Sequence, residues 1–131
     1  MPGRCVDSNV LLYLLGEGRK ADIAEDVLRT TPTISVQVLN ECLNVCRRKL
    51  GLPWPRANDF AEYVRKLCRI VPVTETIHMG GRVLGERYRL QTYDAMIVAA
   101  AVNAGCDTLL SEDMQDGLVI DRTLTIRNPF A

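Results

Sequence analysis

The chain has 131 residues, of which 47% are hydrophobic and 24% are charged. A chain of this length forms one domain, and a chain this apolar can bury enough surface to fold rather than stay disordered. The formal net charge is zero, which excludes a general electrostatic attraction to nucleic acid or to an anionic membrane. Any phosphate binding must therefore depend on local groups. Because no repeat or internal boundary is visible, we predict a single domain over residues 1–131.

The predicted elements of the first half alternate between short β-prone segments and amphipathic segments. In chain order they are a strand at 4–6, helices at 10–15 and 21–28, a strand at 33–35, helices at 36–50 and near 60–67, and a strand at 69–73. Residues 51–55 (GLPWP) are predicted to separate the two longer helices. Helical spacing predicts that the core stripe of the 36–50 helix is Val36, Leu39, Leu43, Cys46 and Leu50.

The second half begins with a helix predicted to run from a Thr74 cap to about residue 89. Gly80, Gly81 and Gly85 would each cost this helix about 1 kcal/mol relative to alanine, which suggests close packing against another element. Residues 92–104 are apolar almost all round and predict a buried helix that ends at Gly105. Strands are predicted at 108–110, 119–120 and 124–126. This alternation predicts an α/β fold with a mostly parallel sheet and helices on both faces.

The cysteines do not form a recognisable framework. An odd, scattered set without a C-x-x-C pair is not typical of disulfide-rich domains or zinc ribbons. Cys42 and Cys46 with the single histidine, His78, supply at most three soft ligands. We therefore predict reduced core thiols in a cytoplasmic protein. The longest apolar run, residues 95–102, is too short to span a bilayer, and no membrane partner is expected. The cysteines are Cys5, Cys42, Cys46, Cys68 and Cys106.

Acidic residues follow predicted strands or lie near the starts of predicted helices. The carboxyl ends of parallel strands meet at one edge of a sheet, where ligands bind in open α/β folds. Two unit charges about 5 Å apart repel by roughly 3 kcal/mol at an effective dielectric of 20, so a cluster of carboxylates calls for a cation. The acids expected at this edge are Asp7, Glu41, Asp94 and Asp113, with Asp116 as a weaker fifth.

An all-oxygen ligand set favours a hard cation such as Mg²⁺ or Mn²⁺. Such an ion can orient a water, lower its pKa and neutralise charge on a phosphate, so phosphodiester hydrolysis is the reaction class that fits. Local structural roles are the alternative for each acid. Asp7 could cap a short helix. Asp94 could be an acid in the first turn of a helix, stabilised there by the helix dipole, with Thr92 as the cap. Asp113 and Asp116 could be turn residues, and Glu41 could be solvated at the border of the polar face of its helix.

Four segments, taken in order, resemble PIN-domain nucleases. Residues 6–14 (VDSNVLLYL) resemble the family's first strand, its aspartate and the Ser/Thr-Asn turn that includes Asn9. Asn40-Glu41 resembles the second acid, residues 93–101 (YDAMIVAAA) the helix of the third acid, and residues 109–114 (LLSEDM) the last strand with its hydroxyl-x-Asp turn. The size matches the VapC-type toxins of toxin–antitoxin systems.

The resemblance implies a three-layer α/β/α sandwich and a Mg²⁺- or Mn²⁺-dependent endoribonuclease. It implies that Asp7 and Asp94 bind the metal directly, and that Ser111 orients its turn or hydrogen-bonds a carboxylate or water. The implied partners are RNA, a second copy of the chain, and an antitoxin whose tail blocks the acidic cleft. The implied acidic site is Asp7, Glu41, Asp94 and Asp113, supported by Asn9 and Ser111; the position of Asp116 is less regularly acidic in the family.

Contacts with RNA would require local basic residues, for which solvated helix faces are the alternative. Trp54 could stack a base, or it could pack at a helix corner or contact a protein. Two other functions remain open: a non-catalytic binding module of the same fold, and a haloacid-dehalogenase-like phosphohydrolase with Asp7 as nucleophile. The latter is disfavoured because position 9 is Asn rather than Asp. The basic candidates are Arg47, Arg48, Lys49, Arg82, Arg87 and Arg89.

Overall fold

The computed structural model describes residues 3–131 and contains six strands and six α-helices within that range. The elements are β1 (Arg4–Val6), α1 (Ser8–Leu11), a 3₁₀ turn (Leu12–Leu15), α2 (Arg19–Leu28), β2 (Thr33–Ser35), α3 (Val36–Arg48), α4 (Trp54–Leu67), β3 (Arg69–Val71), α5 (Glu75–Tyr88), α6 (Thr92–Asn103), β4 (Thr108–Leu110), β5 (Val119–Ile120) and β6 (Leu124–Arg127).

The strands form one sheet in the order β3-β2-β1-β4-β6-β5. All neighbouring strands are parallel except β5, which runs antiparallel to β6. Helices α3 and α6 pack on β2, and α4 packs on β3, which confirms the predicted α/β sandwich with a mostly parallel sheet. The last residues of β1 and β4, Val6 and Leu110, are register partners, so the segments that follow these two strands begin side by side.

Several predicted boundaries differ from the structure. Helix α1 begins at Ser8, two residues early, because the Asp7 carboxylate accepts the Ser8 N–H and caps it. Strand β3 ends at Val71 rather than at residue 73. Helix α4 begins at Trp54, inside the predicted break, since the proline that follows lies in the first turn, where its missing N–H costs no hydrogen bond.

The predicted core stripe of α3 is correct only in part, since Cys46 is buried and Leu39 and Leu43 pack partly buried against the core. The fully buried side chains are Val38, Cys42 and Cys46, whereas Val36 and Leu50 are 39% and 49% exposed. Spacing alone permitted both stripes, and the packing of α3 on β2 and α4 selects the one centred on Cys42. As a result Glu41 is half-buried beside that stripe rather than solvated.

Helices α5 and α6 pack closely where α5 carries glycine. A Cβ on Gly81 would lie 2.6 Å from Met96 Sδ, and one on Gly85 would lie 3.1 Å from Ala95 Cβ, which confirms close packing at these two positions. Gly80 has open space instead, so the prediction fails there. The Thr74 cap is confirmed, since its hydroxyl accepts the Ile77 N–H at 3.2 Å.

Other expectations for the helices and cysteines need correction. Thr92 does not cap α6, whose N-cap is Gln91 without a side-chain hydrogen bond. Cys5 and Cys106 form a disulfide rather than two reduced thiols. Their positions are 101 residues apart in sequence, but the β1–β4 pairing brings their Cα atoms to 6.2 Å, within the span of a disulfide. The other three cysteines are free and buried, as predicted. Within residues 3–131, no helix has the length and apolar character that crossing a membrane requires.

Candidate active site

Four acids from separate parts of the sequence line one cleft of about 440 Å³. Asp7 follows β1, Glu41 lies on α3, Asp94 lies in the first turn of α6, and Asp113 lies in the turn after β4. The Asp7 N–H donates to the Leu110 carbonyl at 2.9 Å, which joins the two strand ends. The cleft therefore forms at the carboxyl edge of the sheet, where the sequence predicted it.

Asp7 forms the buried floor of the cleft and is only 3% exposed. Its Oδ1 accepts the Ser8 N–H at 2.7 Å, and its Oδ2 accepts Asn9 Nδ2 at 3.1 Å and Ser111 Oγ at 2.9 Å. Burial raises the pKa of Asp7 to about 6 from 3.8, and the charge of Glu41 adds to the increase, against the lowering effect of the Ser111 hydrogen bond. In the absence of a cation this carboxylate is held in an environment that disfavours its charge.

Ser111 and Asn9 hold the turn after β4 against Asp7. The Ser111 hydroxyl is fully buried, donates to Asp7, and accepts both Asn9 Nδ2 at 3.2 Å and the Met114 N–H at 3.2 Å. Asn9 Oδ1 accepts the Glu112 N–H at 3.0 Å. These bonds are consistent with the supporting roles predicted for both residues, and they fix the backbone that carries Asp113.

Ser8 positions Glu41, a role that the sequence analysis missed. Its hydroxyl donates to Glu41 Oε1 at 2.8 Å, while Gln37 Nε2 contacts Glu41 Oε2 at 3.3 Å. The sequence did carry a signal for this role, since Ser8 is a hydroxyl-bearing residue directly after the first acid. Ser8 thus connects the first acid with the second.

Asp94 and Asp113 complete the lining of the cleft, and both are more exposed to solvent than Asp7. Asp94 is half-buried, whereas Asp113 lies exposed at the mouth. Burial raises the pKa of Asp94, and the charges of Glu41 and Asp113 raise it further. Since Glu41 and Asp94 also raise the pKa of Asp7, the acids repel one another across the cleft.

Asp116, the fifth candidate acid, does not line the cleft. It is exposed, and its carboxylate accepts the Asn128 N–H at 2.9 Å beside the end of β6. This is the local turn role that the sequence left open. Its separation from Asp113 follows from the bend between them, which leads the chain away from the cleft toward β5.

The basic candidates also divide by position. Lys49 lines the cleft, at i+8 from Glu41 and i+4 from Val45 on the same face of α3. Arg87 is instead paired with Asp121 at 2.7 Å. Arg47 stacks on Trp54. The remaining three are exposed and are not part of the cleft lining: Arg48, Arg82 and Arg89.

Glu112, between Ser111 and Asp113, is held on the outer side of the turn. Tyr13 Oη donates to its Oε1 at 2.6 Å, and Lys20 Nζ pairs with its Oε2 at 2.5 Å. Tyr13 also packs edge-to-face against Phe130 at 5.1 Å. The turn that presents Asp113 is therefore fixed by hydrogen bonds on both of its sides.

The donor set fits a hard divalent cation that keeps part of its water shell. Within residues 3–131, no three His, Cys, Asp or Glu side chains are gathered closely enough to enclose an ion. Mg²⁺ is usually held by only one or two carboxylates together with several waters, and an open cleft of this volume has room for them. The oxygen-only acids and the disfavoured charge on Asp7 both favour such an ion.

Solved structures with the same fold include three at low sequence identity. The VapC20 toxin of Mycobacterium tuberculosis, described as cleaving the sarcin-ricin loop, is 20% identical, with a TM-score of 0.67 over 84% of this chain and 89% of that one. A toxin–antitoxin complex from Klebsiella pneumoniae is 22% identical, with a TM-score of 0.72 over 96% and 97%. DNA-bound VapBC from Salmonella typhimurium is 15% identical, with a TM-score of 0.73 over 98% and 99%.

Comparison with curated proteins finds no significant match. The family model of the PIN domain matches residues 4–115. This range includes all four acids of the cleft together with Ser8, Asn9 and Ser111. Because the match covers most of the sequence, and the fold agrees with the three structures, the chain belongs to the PIN-domain family.

Proposed function

We propose that this protein is a metal-dependent endoribonuclease that acts as the toxin of a toxin–antitoxin pair. The observation that carries the proposal is the acidic cleft, where four carboxylates from distant parts of the sequence meet, and where burial together with the charges of neighbouring acids raises the pKa of both Asp7 and Asp94. The fold does not need carboxylates that repel one another at this position, whereas a bound divalent cation would relieve the repulsion between them. We propose Asp7 and Asp94 as direct ligands, with Glu41 and Asp113 completing the site.

A bound Mg²⁺ or Mn²⁺ would orient a water and neutralise charge on the scissile phosphate. The protein's own groups set the geometry for this. Ser8 holds Glu41 toward Asp7, while Asn9 and Ser111 hold Asp7 toward the cleft. Lys49, at the side of the cleft, supplies a positive charge for a substrate phosphate.

A phosphohydrolase with Asp7 as nucleophile is disfavoured by the hydrogen bonds of Asp7. Both oxygens accept hydrogen bonds and the side chain is almost completely buried. A nucleophile must itself approach the phosphorus atom of the substrate closely, whereas a metal ligand needs only one remaining lone pair, and a carboxylate has about four. We propose instead that Asp7 is a ligand, because it lines the cleft together with three other acids.

The proposed partners follow from the chemistry and from the structural neighbours. RNA is the substrate we propose, as in the neighbour described as cleaving the sarcin-ricin loop. The neighbouring toxin–antitoxin complexes support an antitoxin partner, and we propose that it covers the cleft. We also propose that two copies associate and that the protein acts in the cytoplasm, where its RNA substrates are.

The test is cleavage of RNA by the purified protein with Mg²⁺, with Mn²⁺ and with excess EDTA. We expect cleavage only with metal, and we expect Asp94→Asn to abolish it. Asp116→Asn is the matched control, because it neutralises an acid outside the cleft. Equal cleavage in EDTA, or equal loss in both variants, would show that the acidic cleft is not the catalytic site.

A second experiment tests the biological role. Expression of the wild-type chain should arrest growth, Asp94→Asn should not, and co-expression of the cognate antitoxin should relieve the arrest. Abundant, folded wild-type protein without any effect on growth would favour a non-catalytic binding module of the same fold.

A further inference from the structure

An exposed tryptophan at the start of α4 has an arginine of α3 stacked on it. Trp54, at the start of α4, is 52% exposed. The Arg47 guanidinium lies over its ring at 4.4 Å, and Arg47 Nη1 donates to the Leu52 carbonyl at 3.0 Å. The hydrogen bond fixes the guanidinium in place, so the two planar groups form a rigid platform, and half of the indole remains open to solvent.

The platform borders a hollow of about 350 Å³ between α3 and the start of α4. Asn40 and Asn44 line it with amides that can both donate and accept hydrogen bonds. Arg47 and Arg48 line it with positive charge, and no acidic side chain is part of its lining. The hollow is therefore lined by basic side chains, whereas the cleft on the neighbouring face of α3 is lined mainly by acidic ones.

The two surfaces are continuous along α3. At 100° per residue, Arg48 projects within about 20° of Glu41, roughly 10 Å further along the helix axis. Lys49, one residue on, lines the cleft itself. Arg48, which also lines the hollow, therefore lies between the acids and the platform, and a strand whose phosphates contact Lys49 and Arg48 would extend from one surface to the other.

We propose that the Trp54–Arg47 platform is a subsite for an unpaired RNA base, with Arg48 and Lys49 contacting the adjoining phosphates. This rests on the proposed ribonuclease function and identifies where the substrate is held outside the cleft. Charge complementarity favours RNA over a protein segment, because the chain has no net charge and its local basic groups meet here beside an open aromatic face. Stacking on an aromatic side chain accepts any base, so the subsite would add affinity rather than sequence selection.

Trp54 is the only tryptophan of the sequence, so its fluorescence reports directly on the platform. The experiment titrates a short fluorescein-labelled single-stranded RNA into the Asp94→Asn protein and follows both tryptophan fluorescence and label anisotropy. We expect quenching that parallels binding. Trp54→Ala should weaken binding about 5- to 150-fold, the range for loss of one stacked base, while Trp54→Phe should retain most of the affinity.

Tyr63→Ala is the matched control, because Tyr63 is a 48% exposed aromatic on the same helix that does not line the hollow. The proposal is overturned if RNA binds without changing the fluorescence, if RNA does not bind, or if Trp54→Ala and Tyr63→Ala bind equally. A response to the cognate antitoxin but not to RNA would also overturn it and assign the platform to a protein contact. Metal-dependent cleavage by the wild-type protein is measured separately, so loss of the subsite proposal and loss of the ribonuclease proposal give different results.

Discussion

The buried carboxylate of Asp7 should make the metal-free protein less stable as the pH rises. The unfolded chain releases the Asp7 proton near pH 3.8, whereas the folded chain retains it until about pH 6. Between these values the folded state holds a proton that the unfolded state has lost, so the free energy of unfolding falls with rising pH. An aspartate in an ordinary ion pair would have the opposite effect.

The size of this effect follows from the shift in pKa. A change from 3.8 to about 6 corresponds to about 3 kcal/mol at about 1.4 kcal/mol per unit. Linkage places about half of this loss between about pH 5 and about pH 7.5. For a chain of this length 1 kcal/mol changes the melting temperature by about 3–4 °C, so the expected fall across that interval is about 5 °C.

The assay is thermal unfolding in EDTA at both pH values for the wild type and for Asp7→Asn. Replacing the carboxylate changes its hydrogen bonds with Asn9 and Ser111, but such a fixed cost cancels when the two pH values are compared within each protein. The wild type should lose stability between them and Asp7→Asn should lose less. Saturating Mg²⁺ should raise the wild-type melting temperature more at the higher pH, because the ion binds the ionised carboxylate. The same pH dependence in both proteins would refute the reasoning from burial and repulsion.

Three further predictions concern the packing and support of the site. Gly81→Ala should destabilise the protein, because its Cβ would lie 2.6 Å from a side chain of α6. Gly80→Ala has open space around its Cβ and should stabilise the protein by up to about 1 kcal/mol. Equal melting temperatures for the two variants would contradict the α5–α6 contact. Tyr13→Phe removes the hydroxyl that donates to Glu112 and should lower kcat several-fold with little change in KM; an unchanged kcat would show that this bond does not position the turn. Cys5→Ala, or reductant added to the wild type, should lower stability by about 2–4 kcal/mol, as expected for loss of a bridge closing a long loop; a melting temperature unaffected by reductant would contradict the bridge.

The local signals in the sequence predicted the fold and the composition of the cleft. Strand ends, capping residues and helical periodicity are short-range features, and in a parallel sheet they determine which residues meet at one edge. Asp7 and Ser111 could therefore be placed together although 104 positions separate them. Contacts that depend on helix rotation could not be found this way. The buried stripe of α3 depends on which neighbours it packs against, so Glu41 was predicted at the border of a polar face and lies beside the core.

Two other outcomes depended on tertiary pairing that the sequence does not display. The Cys5–Cys106 bridge requires β1 beside β4 and a matching register, and neither is visible from cysteine spacing. The position of Asp116 outside the cleft depends on the path of the chain after the turn, where its carboxylate accepts the Asn128 N–H. In both cases the residue type was compatible with two roles, and a contact with a distant segment decided between them.

The two interpretations of Asp7, helix cap and metal ligand, are compatible because an ionised carboxylate has about four lone pairs and its three short hydrogen bonds leave one of them. The cap uses Oδ1, which accepts the Ser8 N–H, while Oδ2 accepts Asn9 and Ser111. The hydrogen bonds from Ser111 and from the Ser8 N–H lower the pKa of Asp7, yet burial and neighbouring charge outweigh them and leave it raised. A serine or an asparagine would cap a helix of this kind without an electrostatic cost. A carboxylate at this position, in a cleft lined by three other acids, therefore carries an electrostatic cost that capping alone does not explain, and this cost supports the cation site that we propose.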